Sequence, residues 1–178
     1  AATKAKAAEA RLAVGSGAGE IDMVLALGPA KSGEWRYVED DIRRVVDATG
    51  GAPVRVIMET AALEPLEIAT ACLVARAAGA AFVTTSTGFH PAGGASRAAV
   101  ALLRRAVGPD LGVKASGGIR STDAALWMLL AGANRIGTSS AAAMASALGP
   151  SAPPLAQLLQ PFLSGPPVEQ APPAASGY

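Results

Sequence analysis

Polar residues set inside apolar runs are the first places to look for chemistry, because burying a charge without a partner is costly. Four such runs stand out. Asp22 interrupts Ile21 and Met23, Arg55 and Glu59 lie in the run 54–59, Thr84 and Ser86 in 81–86, and Lys114 near the end of 111–115. An even spacing puts Arg55 and Glu59 on one face of an extended strand, and does the same for Thr84 and Ser86. If these faces coincide, a carboxylate, a guanidinium and an ammonium converge. That grouping points to a functional cluster, with a structural ion-pair network as the alternative. Two turns could add an anion site: Ser116-Gly117-Gly118 ahead of Arg120, and the segment 137–140 at the start of a helix. Backbone N–H groups at helix starts bind phosphate, glycine permits close approach, and serine hydroxyls add donors. Each turn is equally readable as an ordinary capped turn.

These residues need a scaffold that aims them at one place. Apolar residues at helical spacing predict helices over 4–14, 36–48, 66–78, 95–107, 122–131 and 140–148. Gly50-Gly51 and Gly79 mark stops, Pro65 fits a first turn, and Thr122 is the expected N-cap of its helix. Short apolar runs at 20–27, 54–59, 81–86, 111–115 and 134–137 read as strands. Strand and helix alternate at a period near the ~30 residues per unit of a (β/α) barrel. The expected class is therefore α/β with a parallel sheet, whose active site lies at the carboxyl ends of the strands. A barrel needs eight strands and five are counted, which leaves an open sheet or a segment of a barrel.

Composition narrows the partners. The chain has 178 residues, enough for one domain, and a net charge of +1 with no basic block. That argues against nucleic acid or an anionic membrane as the partner, and leaves room for a small phosphorylated ligand. Half the residues are hydrophobic and 4% aromatic, so the core must be built from Ala, Val, Leu and Ile. Cys72 is the single cysteine, lies in an apolar helical stretch, and is read as a buried structural thiol in a cytoplasmic, reducing setting. No signal peptide or membrane-length apolar run is seen, and the first residue is Ala, which suggests a start within a longer chain. Eight of the 13 prolines fall between Pro150 and Pro173. Residues 1–149 are accordingly read as the α/β domain and 150–178 as a mobile tail, with a short helix around Pro161. His90 is expected in a solvated loop; Trp35, Tyr37 and Trp127 are expected to pack; and Glu59 is expected to pair with Arg55 or Lys114.

Six ordered motifs then carry a resemblance. EIDMV at 20–24, KSG at 31–33, VIMET at 56–60, TSTGF at 85–89, VKASGGIR at 113–120 and RIGTSS at 135–140 resemble successive signatures of the deoxyribose-phosphate aldolase family. They cover residues 1 to about 145, in the family's order and spacing. The resemblance implies a TIM (β/α)8 barrel of which strands four to eight are present and strands one to three are not. It implies a class I aldolase with no metal and no cofactor, which reversibly cleaves 2-deoxy-D-ribose 5-phosphate to D-glyceraldehyde 3-phosphate and acetaldehyde through a Schiff base. Asp22 and Lys114 match the proton-relay residues, and Arg55, Thr87, Gly88, Gly117, Gly118, Ser139 and Ser140 match the substrate and phosphate site. Tyr178 could match a C-terminal tyrosine that assists proton transfer in some members. Self-association into a homo-oligomer is left open.

One departure is chemical. The family pattern reads Lys-Thr-Ser-Thr-Gly where this chain reads TTSTG at 84–88, so Thr84 holds the position of the Schiff-base lysine. A hydroxyl forms no imine. Of the four lysines, Lys4, Lys6 and Lys31 are expected away from the strand ends, which leaves Lys114 as the amine at the site. The alternatives are a phosphosugar-binding protein without catalysis, and a shortened or misread sequence of an active aldolase. Arg55, where many members have lysine, keeps the charge but changes its shape.

Overall fold

The predicted helices over 36–48 and 95–107 each have one apolar side, and that side is what the sheet receives. The computed structural model describes residues 2–164. In chain order it contains α1 (Thr3–Gly15), β1 (Ile21–Val24), α2 (Leu27–Lys31), α3 (Trp35–Ala48), β2 (Val54–Ile57), α4 (Pro65–Ala77) and β3 (Phe82–Thr84). Then follow α5 (Arg97–Val107), β4 (Gly112–Ser116), α6 (Thr122–Leu130), β5 (Arg135–Gly137), α7 (Ala141–Leu148) and α8 (Leu155–Ser164). The five strands are parallel and neighbour one another in sequence order.

The core lies between the helices and one face of the sheet. Val38, Ile42 and Val45 of α3 and Val100, Leu103 and Val107 of α5 recur at helical spacing and are essentially inaccessible. They pack in one cluster with Val54, Val56, Val83, Val113 and Ala115 from the strands. Each such branched side chain stabilises the fold by about 1.5–3 kcal/mol. Ala71, Cys72 and Ala75 on α4 are also buried, as small residues that let a helix lie close to its neighbours.

Element ends follow local chemistry. Glu64 and Glu67 form a reciprocal capping box at the start of α4, with Pro65 in the first turn. At α6 the cap is Ser121 rather than the expected Thr122. Ser121 has the extended backbone a cap requires, and its hydroxyl accepts the Ala124 N–H at 3.2 Å. β1 ends at Val24, short of the predicted 27. Leu25 still donates its N–H to the Ile57 carbonyl at 2.9 Å, and the chain then turns into α2, which holds Gly28 and Pro29 in its first turn. A proline there lacks only an N–H that a first turn leaves unpaired. Within the proline-rich segment, α8 leans on α6 through an edge-to-face contact of Phe162 with Trp127 at 5.0 Å, and Arg97 covers the Trp127 ring at 3.7 Å.

The sheet curls strongly. Glu20, just before β1, and Arg135 of β5 are 2.7 Å apart although their strands are the two edges of the sheet. On a flat sheet four strand spacings separate them by about 19 Å. The register explains the contact. In an eight-stranded barrel with a shear of eight, the level rises about one residue per strand, so residues of alternate strands share a layer. Applied to the observed pairing, that rule groups Glu20 with Phe82 and Arg135, Arg55 with Lys114, and Asp22 with Thr84 and Gly137. Arg135 does lie over the Phe82 ring, at 4.4 Å. The sheet is an arc of a barrel, with helices on its convex face and polar side chains on its concave one.

Candidate active site

The register of the four strands brings Asp22, Arg55, Thr84 and Lys114 to the concave face. The Asp22 carboxylate accepts from Arg55 Nε at 2.5 Å and Nη2 at 3.1 Å, and from Lys114 Nζ at 3.1 Å. Arg55 also pairs with Glu20, and Glu20 with Arg135. Lys114, Asp22, Arg55, Glu20 and Arg135 thus form one chain of alternating charge, three cations to two carboxylates. It leaves a net positive charge on this face, favourable for an anionic ligand. The Arg135 hydrogen bond, followed by the charges of Arg55 and Arg135, holds the Glu20 carboxyl below its ordinary value of 4.5 against the opposing effect of desolvation.

Thr84 is the direct register partner of Lys114 across β3 and β4. Its side chain is fully buried, and its hydroxyl has no hydrogen-bond partner among the described residues; the same is true of Ser86. Gly137 makes room for the amine. A methyl group there would stand 2.9 Å from Lys114 Cε and 2.8 Å from Ser116 Cβ.

Above this row the loops are stitched together. Thr85 Oγ1 donates to the Ser116 carbonyl at 2.7 Å and accepts the Ser116 N–H at 2.9 Å, while Ser116 Oγ donates to the Ser86 carbonyl at 2.8 Å. Ala95 N–H donates to the Gly117 carbonyl at 2.9 Å. Gly88 and Gly117 both have left-handed backbones, at φ 87° and 97°. Their main chains touch: a methyl group at Gly117 would lie 3.4 Å from Gly88 Cα and 3.2 Å from Gly94 Cα. Thr138 Oγ1 donates to the Ile119 carbonyl at 2.6 Å and accepts the Ser140 N–H at 2.9 Å, which ties the loop after β5 to the loop after β4. Gly118 and Ser139 stay exposed.

Several expectations change here. Glu59 pairs with neither Arg55 nor Lys114; it lies beyond the end of β2 and accepts from Thr87, because its backbone leaves the strand geometry that parity assumed. Glu20 and Arg135 were missed. Glu20 shares parity with Asp22, which was the available signal, whereas Arg135 opens a three-residue strand whose face could not be read. Lys6 binds Asp41 and the Val24 carbonyl, and Lys31 the Ala62 carbonyl and Glu67, so neither amine joins the network. His90 accepts the Ala92 N–H within its own loop. Tyr178, with the rest of 165–178, lies outside the described residues. A cleft of about 440 Å³ lined by Asp47, Thr49, Pro53 and Gly79 opens at the opposite ends of the strands, with Asp47 as its one charged lining residue. Among the described residues no three His, Cys, Asp or Glu side chains are grouped to hold a metal, and no helix is long and apolar enough to cross a membrane.

No protein-family model matches the chain. A curated relative from Mycolicibacterium paratuberculosis, named deoxyribose-phosphate aldolase, is 55% identical over 148 residues, covering 81% of this chain. The match spans 66% of that relative, so the chain covers just under two thirds of its length. A solved structure described as an aldolase superposes with a TM-score of 0.78 at 36% identity, covering 92% of this chain and 69% of its own. A deoxyribose phosphate aldolase from Aeropyrum pernix, described as having a unique tetrameric structure, gives a TM-score of 0.71 at 32% identity, covering 92% of this chain and 63% of its own. With identity of this order on the same barrel arc that carries the Asp22–Lys114 pair, the chain belongs to the deoxyribose-phosphate aldolase family.

Proposed function

We propose that the concave face binds 2-deoxy-D-ribose 5-phosphate and belongs to the reversible aldol cleavage that gives D-glyceraldehyde 3-phosphate and acetaldehyde. The observation that carries this reading is that Lys114, paired with Asp22, stands in register with position 84, below the Gly88–Gly117 contact. In this scheme Gly88, Gly117 and Gly118 offer backbone N–H groups to the phosphate, and Ser139 and Ser140 add hydroxyls at the rim; the Thr87 hydroxyl is taken up by Glu59 and Phe89 and reaches no ligand. The sugar then extends down towards Lys114. Arg55 fixes the Asp22 carboxylate, and Asp22 with Lys114 passes a proton between the substrate and water.

An aldol cleavage of this class needs an amine on the substrate carbonyl. Nitrogen adds, water leaves, and the resulting iminium accepts the electron pair of the breaking C–C bond. Position 84 is where that amine would stand. Thr84 offers only a hydroxyl, which supplies no such electron sink. This favours a second reading for the chain as it stands: phosphosugar binding without cleavage. Self-association is part of the proposal, since the Aeropyrum pernix relative is described as tetrameric, and the single buried thiol Cys72 suits the cytoplasm.

Borohydride reduction tests the chemistry, because it traps an imine as a stable amine detectable by mass. With deoxyribose 5-phosphate or acetaldehyde, the chain should give no adduct and Thr84→Lys should give one at residue 84, with cleavage. A folded Thr84→Lys chain that binds the sugar phosphate but neither traps nor cleaves would leave the binding-only reading. Efficient trapping at Lys114 in the unaltered chain would overturn the assignment of position 84.

A further inference from the structure

Glu59 is an ionisable side chain that the proposed chemistry does not use. It is 2% exposed and pairs with no Lys, Arg or His within salt-bridge distance among the described residues. It is also the one non-glycine residue there with a left-handed backbone, at φ 54°. Strain of that kind persists where surrounding contacts over-determine it, and it concentrates at binding sites. Here the kink swings the side chain off the line of β2 and towards the loop after β3. The carboxylate accepts from Thr87 Oγ1 at 2.6 Å, and the Thr87 N–H points at both its oxygens at 3.3 and 3.4 Å. Thr87 Oγ1 in turn accepts the Phe89 N–H at 3.1 Å.

The direction of these bonds matters. The Thr87 hydroxyl donates to Glu59, which leaves its oxygen lone pairs for the Phe89 N–H. The turn 87–89 is thereby held at two points, and Gly88 sits between them, against Gly117. Glu59 therefore lies beneath the proposed phosphate loop, with both oxygens turned towards Thr87.

We propose that Glu59 is a positioning residue. By clamping Thr87 it sets the turn 87–89 against Gly117, and so determines how strongly the site prefers a phosphorylated sugar over its unphosphorylated counterpart. This rests on the phosphosugar reading given above. Glu59 touches no ligand in this account; it acts through the shape of the turn.

The test compares affinities for deoxyribose 5-phosphate and deoxyribose in the whole chain, together with amide hydrogen exchange at Gly88 and Phe89. Glu59→Ala and Thr87→Val should each reduce the preference for the phosphorylated sugar about tenfold, the scale of one lost charge-assisted hydrogen bond. Deoxyribose affinity should stay unchanged and the two amides should exchange faster. Thr87→Ser, which keeps the hydroxyl, should restore both readouts. Thr87→Val guards against a Glu59→Ala chain that fails to fold. An unchanged preference in folded Thr87→Val, or equal losses for both sugars, would overturn the proposal. If the unaltered chain shows no preference for the phosphorylated sugar, the phosphosugar reading falls and the ligand part of this proposal falls with it. Exchange at Phe89 then judges the clamp alone, and rates equal to those of Glu59→Ala would sink that too.

Discussion

The two faces of the sheet are built on different rules. On the convex face Val54, Val56, Val83, Val113 and Ala115 meet helices that carry Ile42, Val45, Val100 and Leu103, and every one of these is buried. Each contributes through the area it removes from water, and any apolar side chain of similar shape would serve. On the concave face five charged residues, Glu20 just before β1 and the others from β1, β2, β4 and β5, are chained together, and exchanging any one breaks a specific pair. Partly exposed ion pairs add little to stability. One face therefore holds the fold, and the other is specified by chemistry that the fold itself does not require.

The largest effect that could break this contrast is on stability. Ile42→Ala should cost about 2–5 kcal/mol, read as a lower urea midpoint with an unchanged slope. Arg55→Met should cost about 1 kcal/mol, because Asp22 keeps Lys114 and Glu20 keeps Arg135. Equal losses would erase the distinction between the faces. A smaller effect follows from Glu20. Its carboxyl titrates lower in the folded chain than in the unfolded one. Its stabilising contribution is thus complete above the ordinary value of 4.5 and is lost as the pH falls through the depressed folded value. Glu20→Gln should flatten the acid side of the melting-temperature profile, and about 1 M salt should shrink the difference between the two proteins. An unchanged acid profile would mean that the bridge to Arg135 does not persist in solution. The smallest expected effect is none. Burial on the convex side pushes the Cys72 thiol up to about 12, so iodoacetamide near neutral pH should leave it unmodified until urea is added. Rapid alkylation of the native chain would show the helix-covered face to be open.

The same contrast governed what could be read from the sequence. Periods of 3.6 and 2 located α3, α5 and the strands within a few residues, because convex-face residues announce themselves by type. The conditional convergence of a carboxylate, a guanidinium and an ammonium is met by Asp22, Arg55 and Lys114, which the strand register brings to one face. Parity stops where the strand stops, however. Glu59 lies two residues past Ile57, and its left-handed backbone turned it from the expected partners Arg55 and Lys114 to Thr87. Glu20 and Arg135 escaped notice because their contact depends on the curl of the whole sheet, which no local pattern encodes. The cap at α6 shifted from Thr122 to Ser121 for a smaller reason: adjacent hydroxyl residues both satisfy the rule, and only backbone geometry separates them.

The curl has a consequence for the order in which the molecule assembles. Lys114 and Asp22 lie 92 residues apart in the chain, and Arg135 and Glu20 lie 115 apart. Loop-closure entropy makes such contacts slow to form, whereas each strand–helix–strand unit closes over a few tens of residues. The units can therefore dock on their neighbours before the charges meet across the arc. Substitutions at Glu20 should then accelerate unfolding and leave the refolding rate nearly unchanged, while Leu103→Ala should slow refolding as well. On this account the acid–base pair is among the last parts of the molecule to be formed and the first to be released.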